Sequence, residues 1–252
     1  MSDYEAIILE REGSVATIRL NRPEKHNAIN LQMSQELHDC LDALESDDDV
    51  RAIIVTGVGD RAFCAGADMT QAVEMMASGE ERADHAAQAN YRVLRVKKPI
   101  IAAVNGYAYG GGGLMAINCD IRLCAENARF RFVGASYGLV VGGSHLPRII
   151  GAPMAKELIF TARTVDSEEA LRIGLANHVV PNDELESTAL QMANEIATHS
   201  PSAVLASKEV IDIATSVKDA GRAELAHNIE LRQSDEHRER FRAATDRVTK
   251  RG

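Results

Sequence analysis

Ile100-Ile101-Ala102-Ala103-Val104-Asn105-Gly106-Tyr107-Ala108-Tyr109-Gly110-Gly111-Gly112-Gly113-Leu114 is the stretch on which the fold turns. It opens with an apolar, strand-like run from Ile100 to Val104, passes through four consecutive glycines and continues from Leu114 to Asn118 as a helix-compatible run. That order puts bare backbone N–H groups at a helix start. Glycine lets a ligand approach the main chain closely, and the positive end of a helix favours an acceptor that carries or gains negative charge. A second stretch repeats the order: the strand-like Ala52-Ile53-Ile54-Val55 leads through Thr56-Gly57-Val58-Gly59 into Phe63-Cys64-Ala65-Gly66-Ala67-Asp68-Met69. Two such loops are suited to hold one oxyanion between them. The paired isoleucines opening both segments suggest an internally repeated unit stacked on itself.

Outward from these loops the pattern alternates. Ile7 to Leu9 and Val15 to Leu20 flank Glu12-Gly13-Ser14 as a hairpin, and apolar positions at Met33, Leu37, Leu41 and Leu44 give a helix that stops in Ser46-Asp47-Asp48-Asp49. A helix is expected from about Glu80 to Val96, with strands at Ile121 to Ala125 and Arg129 to Val133. Beyond about Pro153 the reading is mainly helical: Met154 to Phe160, Ser167 to Ile173, Asp183 to Thr198, Ser202 to Ala214, and Ala220 to Val248 with at least one break.

Composition excludes several partners. Lys and Arg number 28 against 37 Asp and Glu over 252 residues, a formal charge of −9, whereas nucleic acid or an anionic membrane demands a basic face. No run approaches the roughly 18 apolar residues of a membrane span, and Met1 to Glu5 lacks a basic region before an apolar core, so a cytoplasmic protein is expected. Cys40, Cys64, Cys119 and Cys124 lack CxxC spacing and read as reduced, packed thiols.

Familiar motifs fail on inspection. After Gly110-x-Gly112, Met115 stands where a dinucleotide fingerprint wants a small residue, and no GK[ST] follows a glycine loop as a phosphate-binding loop requires. The histidines, among them His26, His85, His145 and His178, form no ligand set, so no metal is expected. Gly134-Ala135-Ser136-Tyr137-Gly138 matches G-x-S-x-G, but the β-branched, glycine-bearing Leu139 to Gly143 does not enter a helix as a nucleophile elbow must.

With these residues in hand, the chain resembles the crotonase superfamily, the enoyl-CoA hydratase/isomerase family, over essentially its whole length. The resemblance rests on Asn21-Arg22-Pro23 with Asn27-Ala28, Ala62 through Met69, Lys98 through the glycines to Asn118-Cys119-Asp120, Glu157 to Thr161 with Glu169-Ala170, Gly174-Leu175-Ala176, and Val179-Val180-Pro181, in family order and spacing. It implies an α/β spiral of repeated strand-strand-helix units over residues 1–200 and a helical C-terminal region, 201–252, that makes trimers or dimers of trimers. It also implies an acyl-CoA substrate in a bent groove, with no cofactor beyond the coenzyme A moiety. The thioester oxygen would accept N–H bonds from Ala67 and Gly111, with Ala65, Asp68 and Met69 in the same binding loop. Asp68 orders that loop in this reading, although a base role stays open, and Lys25 and His26 are either surface residues or contacts to the nucleotide or pantetheine.

Hydratases of this family use two glutamates, and the matching positions here are Leu114 and Gly134. Neither accepts a proton, so isomerase, decarboxylase or hydrolase chemistry is expected ahead of simple hydration. Tyr137 and His145 are the replacement acid/base candidates, with His85 further off. A non-catalytic acyl-CoA binder that kept the groove is the alternative.

Overall fold

The computed structural model describes residues 4–78, 85–215 and 218–249. The chain opens with the hairpin β1 (Ile7–Glu12) and β2 (Val15–Leu20), followed by α1 (Leu31–Ser46), capped by Asn30, whose side chain accepts from Met33 N–H at 2.9 Å. β3 (Ala52–Gly57) and the three-residue β4 (Ala62–Cys64) precede α2 (Met69–Ser78) and α3 (His85–Leu94). β5 (Ile100–Val104) and β6 (Tyr107–Tyr109) precede α4 (Gly111–Asn118), and β7 (Ile121–Ala125) and β8 (Arg129–Arg131) complete a third such pair.

The strand-strand-helix repeat has a spatial logic. The first strand of each unit, β3, β5 or β7, adds in parallel to one sheet, while the second, β4, β6 or β8, adds in parallel to another. Each unit therefore turns a corner, and successive units stack as a spiral. Residues of β3 and β5 alternate between two apolar layers. Ile53, Val55, Ile100 and Ala102 face the main core, whereas Ile54, Ile101 and Ala103 face a second layer. This period of two is what a strand buried on both faces requires.

The remaining elements are α5 (Leu146–Ile150), α6 (Ala152–Thr161), β9 (Val165–Asp166), α7 (Ser167–Arg172), β10 (His178–Val180), α8 (Leu185–Thr198), α9 (Pro201–Ala214), α10 (Lys218–Arg232) and α11 (Asp235–Thr249). β10 extends the six-stranded sheet β1-β2-β3-β5-β7-β10, β9 closes the four-stranded sheet β4-β6-β8-β9, and α8 covers the second layer through Leu185, Ala189 and Ala193.

The sequence missed β4, β6, β9 and β10, each three residues or fewer, and α2. The strand expected from Arg129 to Val133 ends at Arg131. The helix expected from about Glu80 begins at His85, its first residues lying outside the described ones. All four cysteines are free and buried, and burial pushes the thiols of Cys64, Cys119 and Cys124 up to about 12 and that of Cys40 to about 11. Among the described residues no helix is long and apolar enough to cross a membrane.

Candidate active site

The two glycine loops meet. Gly66 has φ of +97°, and a Cβ there would stand 2.8 Å from Tyr109 O and 2.9 Å from Gly111 N, so only glycine permits the contact. A Cβ on Gly112 would lie 1.9 Å from Cys64 O. Helix α4 thus starts backbone to backbone against β4. Of the four glycines, 110 caps the helix, 112 and 113 abut main chain, and 111 lies against Gly66 with its N–H in the unpaired first turn.

The N–H of Ala67 points the same way for a local reason. Ala67 pairs with Ile29 as an isolated parallel bridge: Ile29 N–H donates to Gly66 O at 2.7 Å and Asp68 N–H to Ile29 O at 2.9 Å. Because peptide groups alternate along an extended chain, the flanking bonds turn the Ala67 N–H away from Ile29 and leave it open. Ala67 is exposed and Gly111 half-buried, so both donors border an open site.

The loop bearing Ala67 is fixed from the N-terminal motif. Arg22 pairs with Asp68 at 2.8 Å and donates to Ala28 O at 2.7 Å, and the buried Asn27 donates to Ala62 O and Val58 O. Asp68 Oδ1 accepts from Thr70 and Gln71 N–H at 3.0 and 3.3 Å, capping α2. Its carboxylate is thereby committed to ordering the loop. Lys25 and His26 are exposed, and His26 O accepts from Ala65 N–H at 3.0 Å, which places that turn beside the binding loop. Met69 is half-buried at the start of α2.

Leu114, half-buried in the first turns of α4, packs on the main core. Gly134 is buried, and a Cβ there would lie 2.9 Å from Leu139 O and from Val141 Cβ. The loop thus closes on itself at the second carboxylate position, and a glutamate cannot enter without moving main chain. Residues Gly134 to Tyr137 form a 3₁₀ turn ending at Gly138, with φ of +70°, and Ser136 is exposed on it. No strand-to-helix elbow forms.

Tyr137 ends the 3₁₀ turn, and His145 stands at the N-terminus of α5. The carbonyl of Tyr137 is held by His237 Nδ1 at 2.6 Å. His145 caps α5, shares a 2.8 Å hydrogen bond between its Nδ1 and Ser144 Oγ, and lines a cavity of about 600 Å³ together with Ile117, Asp120 and Lys208. That cavity takes in the C-terminal end of α4, whereas the open donors stand at its N-terminal end; neither Ala67 nor Gly111 is among the described residues lining it. Burial, with Arg148 adding to it and Glu224 opposing, holds the His145 pKa below the ordinary value. Burial likewise raises Asp120, against the pull of Lys208, with which it pairs. Among the described residues no group of His, Cys, Asp and Glu could hold a metal ion.

Sequence reading missed a polar clamp. Glu224 of α10 accepts from Gly142 and Ser144 N–H at 3.1 and 2.8 Å, and Asn228 accepts from Val140 N–H and donates to its carbonyl at 2.8 and 2.7 Å. With His237, these side chains tie the 137–144 loop to the tail.

A family model for enoyl-CoA hydratase/isomerase matches residues 10–251. The chain is 42% identical over 210 residues to a short-chain-enoyl-CoA hydratase of Clostridium acetobutylicum, covering 82% of this chain and 80% of that one. Among solved structures, a carnitinyl-CoA hydratase from Mycobacterium avium superposes with a TM-score of 0.85 at 34% identity, covering 96% of each chain. A monofunctional enoyl CoA isomerase from M. smegmatis gives 0.72 at 33% identity, over 87% of this chain and 99% of that one. With its spiral of strand-strand-helix units and its two abutting glycine loops, the chain belongs to the enoyl-CoA hydratase/isomerase family, the crotonase superfamily.

Proposed function

We propose that the protein is an acyl-CoA enzyme that holds the thioester oxygen between the N–H groups of Ala67 and Gly111 and stabilises an enolate formed on it. The observation that carries this reading is the backbone contact of Gly66 with Tyr109 and Gly111, which juxtaposes two open donors. Preorganised donors in a low-dielectric site gain strength as charge develops, and each is worth about 2.7–4 kcal/mol in the transition state. The coenzyme A moiety comes with the substrate, and Lys25 and His26, exposed beside the binding loop, are the candidates to meet it.

The reaction is one that these donors drive with at most one proton-transferring group on the protein. In isomerisation of a 3-enoyl thioester, a base takes the α-proton, the C–H electrons move to the thioester oxygen, and the proton returns at the γ-carbon. In decarboxylation of a β-carboxyacyl thioester, the breaking C–C bond supplies those electrons, carbon dioxide leaves, and the α-carbon takes a proton. Leu114 and the closed turn at Gly134 leave water addition without its pair of carboxylates. Hydration is the second reading, favoured by relatives such as the short-chain-enoyl-CoA hydratase and by a crotonyl-CoA hydratase of Syntrophomonas wolfei subsp. wolfei at 39% identity.

A homotrimer is proposed with it, because Val210 and Ile213 of α9 and Leu225 and Ile229 of α10 are exposed. Phe241 of α11, by contrast, is buried within the chain at 3% exposure.

Purified protein should isomerise 3-enoyl-CoA or decarboxylate a β-carboxyacyl-CoA, while hydrating crotonyl-CoA far more slowly than a two-carboxylate enzyme, since each acid/base group is worth about 10² to 10⁴ in rate. Leu114→Glu should raise hydration, whereas Gly134→Glu would disrupt its turn. Efficient hydration of crotonyl-CoA by the unmodified protein would select the second reading.

A further inference from the structure

Most buried side-chain polar atoms without a partner belong to two neighbouring helices. Among the described residues they are both ring nitrogens of His85 and Oδ1 of Asn90, Asn118 and Asn127. All but the last belong to α3 or α4. Such atoms are rare in folded proteins and call for a reason.

Asn90 is the one that touches the glycine turn. Only 2% exposed, it donates through its side-chain amide to Gly111 O at 3.0 Å and to Ala86 O at 2.7 Å. Ala86 Cβ and Asn90 Nδ2 stand 3.3 and 3.5 Å from where a Cβ on Gly111 would be, and Asn118 holds Asn90 O at 3.1 Å. Glycines have no side chains to lock their peptide planes, so the direction of the Gly111 N–H depends on what holds the adjoining carbonyls. Leu114 N–H holds Gly110 O, in the same peptide as the Gly111 N–H, at 3.0 Å. Asn90 holds the next carbonyl. An apolar side chain of similar size would fill the space without stranding Oδ1, so packing alone does not account for an asparagine.

We propose that Asn90 is a positioning residue for the oxyanion donor: by clamping Gly111 O it fixes the peptide that follows Gly111, as Leu114 N–H fixes the one that precedes it, and the two together keep the Gly111 N–H aimed at the thioester oxygen. Donation to Gly111 O also polarises the Gly111–Gly112 peptide and strengthens the positive field at the helix start. The proposal rests on the acyl-CoA reading above and adds to it the residue that holds the donor in place.

The test uses an arylacryloyl-CoA, a chromophoric enoyl thioester whose absorbance moves to longer wavelength as its carbonyl is polarised. The unmodified protein should bind it with a red shift that Gly111→Pro removes. Asn90→Leu should lose most of the shift while keeping its affinity, Asn90→Gln should recover part of it, and with a turned-over substrate Asn90→Leu should lower kcat by up to about 10²-fold with little change in KM. In the unmodified protein, the Asn90 side-chain amide followed by ¹⁵N NMR should move when the thioester binds, which keeps the test open if Asn90→Leu fails to fold. A full red shift in Asn90→Leu, or an amide signal that stays put on binding, would overturn the role of Asn90 alone. No red shift in the unmodified protein would overturn the oxyanion reading and this role together.

Discussion

The spiral core and the helical tail position their parts by opposite means. In the core, the turn that carries Gly111 is placed by main chain against main chain, with the Asn90 side chain holding only its carbonyl: Gly66 on Tyr109 and Gly111, Gly112 on Cys64, and Gly113 with a Cβ position 2.9 Å from Ala108 O. In the tail, α9 buries none of its residues, and α10 and α11 reach the 137–144 loop through the side chains of Glu224, Asn228 and His237. Backbone packing of this kind has a tolerance of tenths of an ångström and cannot be weakened by degrees. Side-chain clamps can be removed one at a time. Core changes should therefore break fold and site together, whereas tail changes should loosen one loop and leave the donors standing.

Gly112→Ala should have the largest effect. A methyl group 1.9 Å from Cys64 O cannot be relieved by a rotamer change, so the cost should reach about 3 kcal/mol or more, read as a fall in the denaturant midpoint. A midpoint close to that of the unmodified protein would mean that α4 and β4 can part, against the contrast drawn above. Asp68→Ala comes next at about 2 kcal/mol, through loss of the α2 cap and the bond to Arg22. Asp68→Asn keeps the capping oxygen and should cost less in both stability and turnover. Equal loss of turnover in the two variants would instead make Asp68 a base.

Glu224→Ala and Asn228→Ala should each cost about 1 kcal/mol. Hydrogen exchange should speed up across residues 140–144 and stay unchanged in β5 and α4; spread into the core would show that tail and core form one cooperative unit. The smallest effect is in pH. Because burial holds the His145 pKa below the ordinary value, the unfolded chain binds a proton more readily than the folded one. Stability should therefore rise with pH from the depressed value to the ordinary one near 6.5, and the cost of burying the charged ring is fully present below that window. His145→Gln should flatten this part of the stability profile, and an unaltered profile would reject the assignment.

What the sequence revealed follows the same division. The glycine loops were legible because strand, glycine and helix are signalled within about a dozen residues, and both donors lie inside them. β4 and β6 were not, since three residues show too little alternation to distinguish a strand from a loop. The α2 start was readable in principle from Asp68 as a cap, but that residue stood inside the family motif and was read there as a loop. Tyr137 and His145 were chosen for their chemistry and for nearness in sequence to a missing glutamate; the structure sets Tyr137 at the end of the 3₁₀ turn and His145 at the start of α5, on the cavity that takes in the C-terminal end of α4. Glu224 and Asn228 act across 80 to 88 residues of chain, a separation at which a single sequence carries no pairing signal.

Calorimetric binding of two acyl-CoA analogues to the unmodified protein and to Gly111→Pro tests the central claim most directly. One analogue mimics a thioester enolate; the other is a thioether lacking the carbonyl oxygen. Proline removes the N–H but suits the first helical position. The enolate mimic should bind the unmodified protein more tightly than the thioether and lose roughly 10²- to 10³-fold in Gly111→Pro, with the thioether unaffected. Equal affinity of the two analogues for the unmodified protein, or an undiminished preference for the enolate mimic in Gly111→Pro, would contradict an oxyanion site at Ala67 and Gly111.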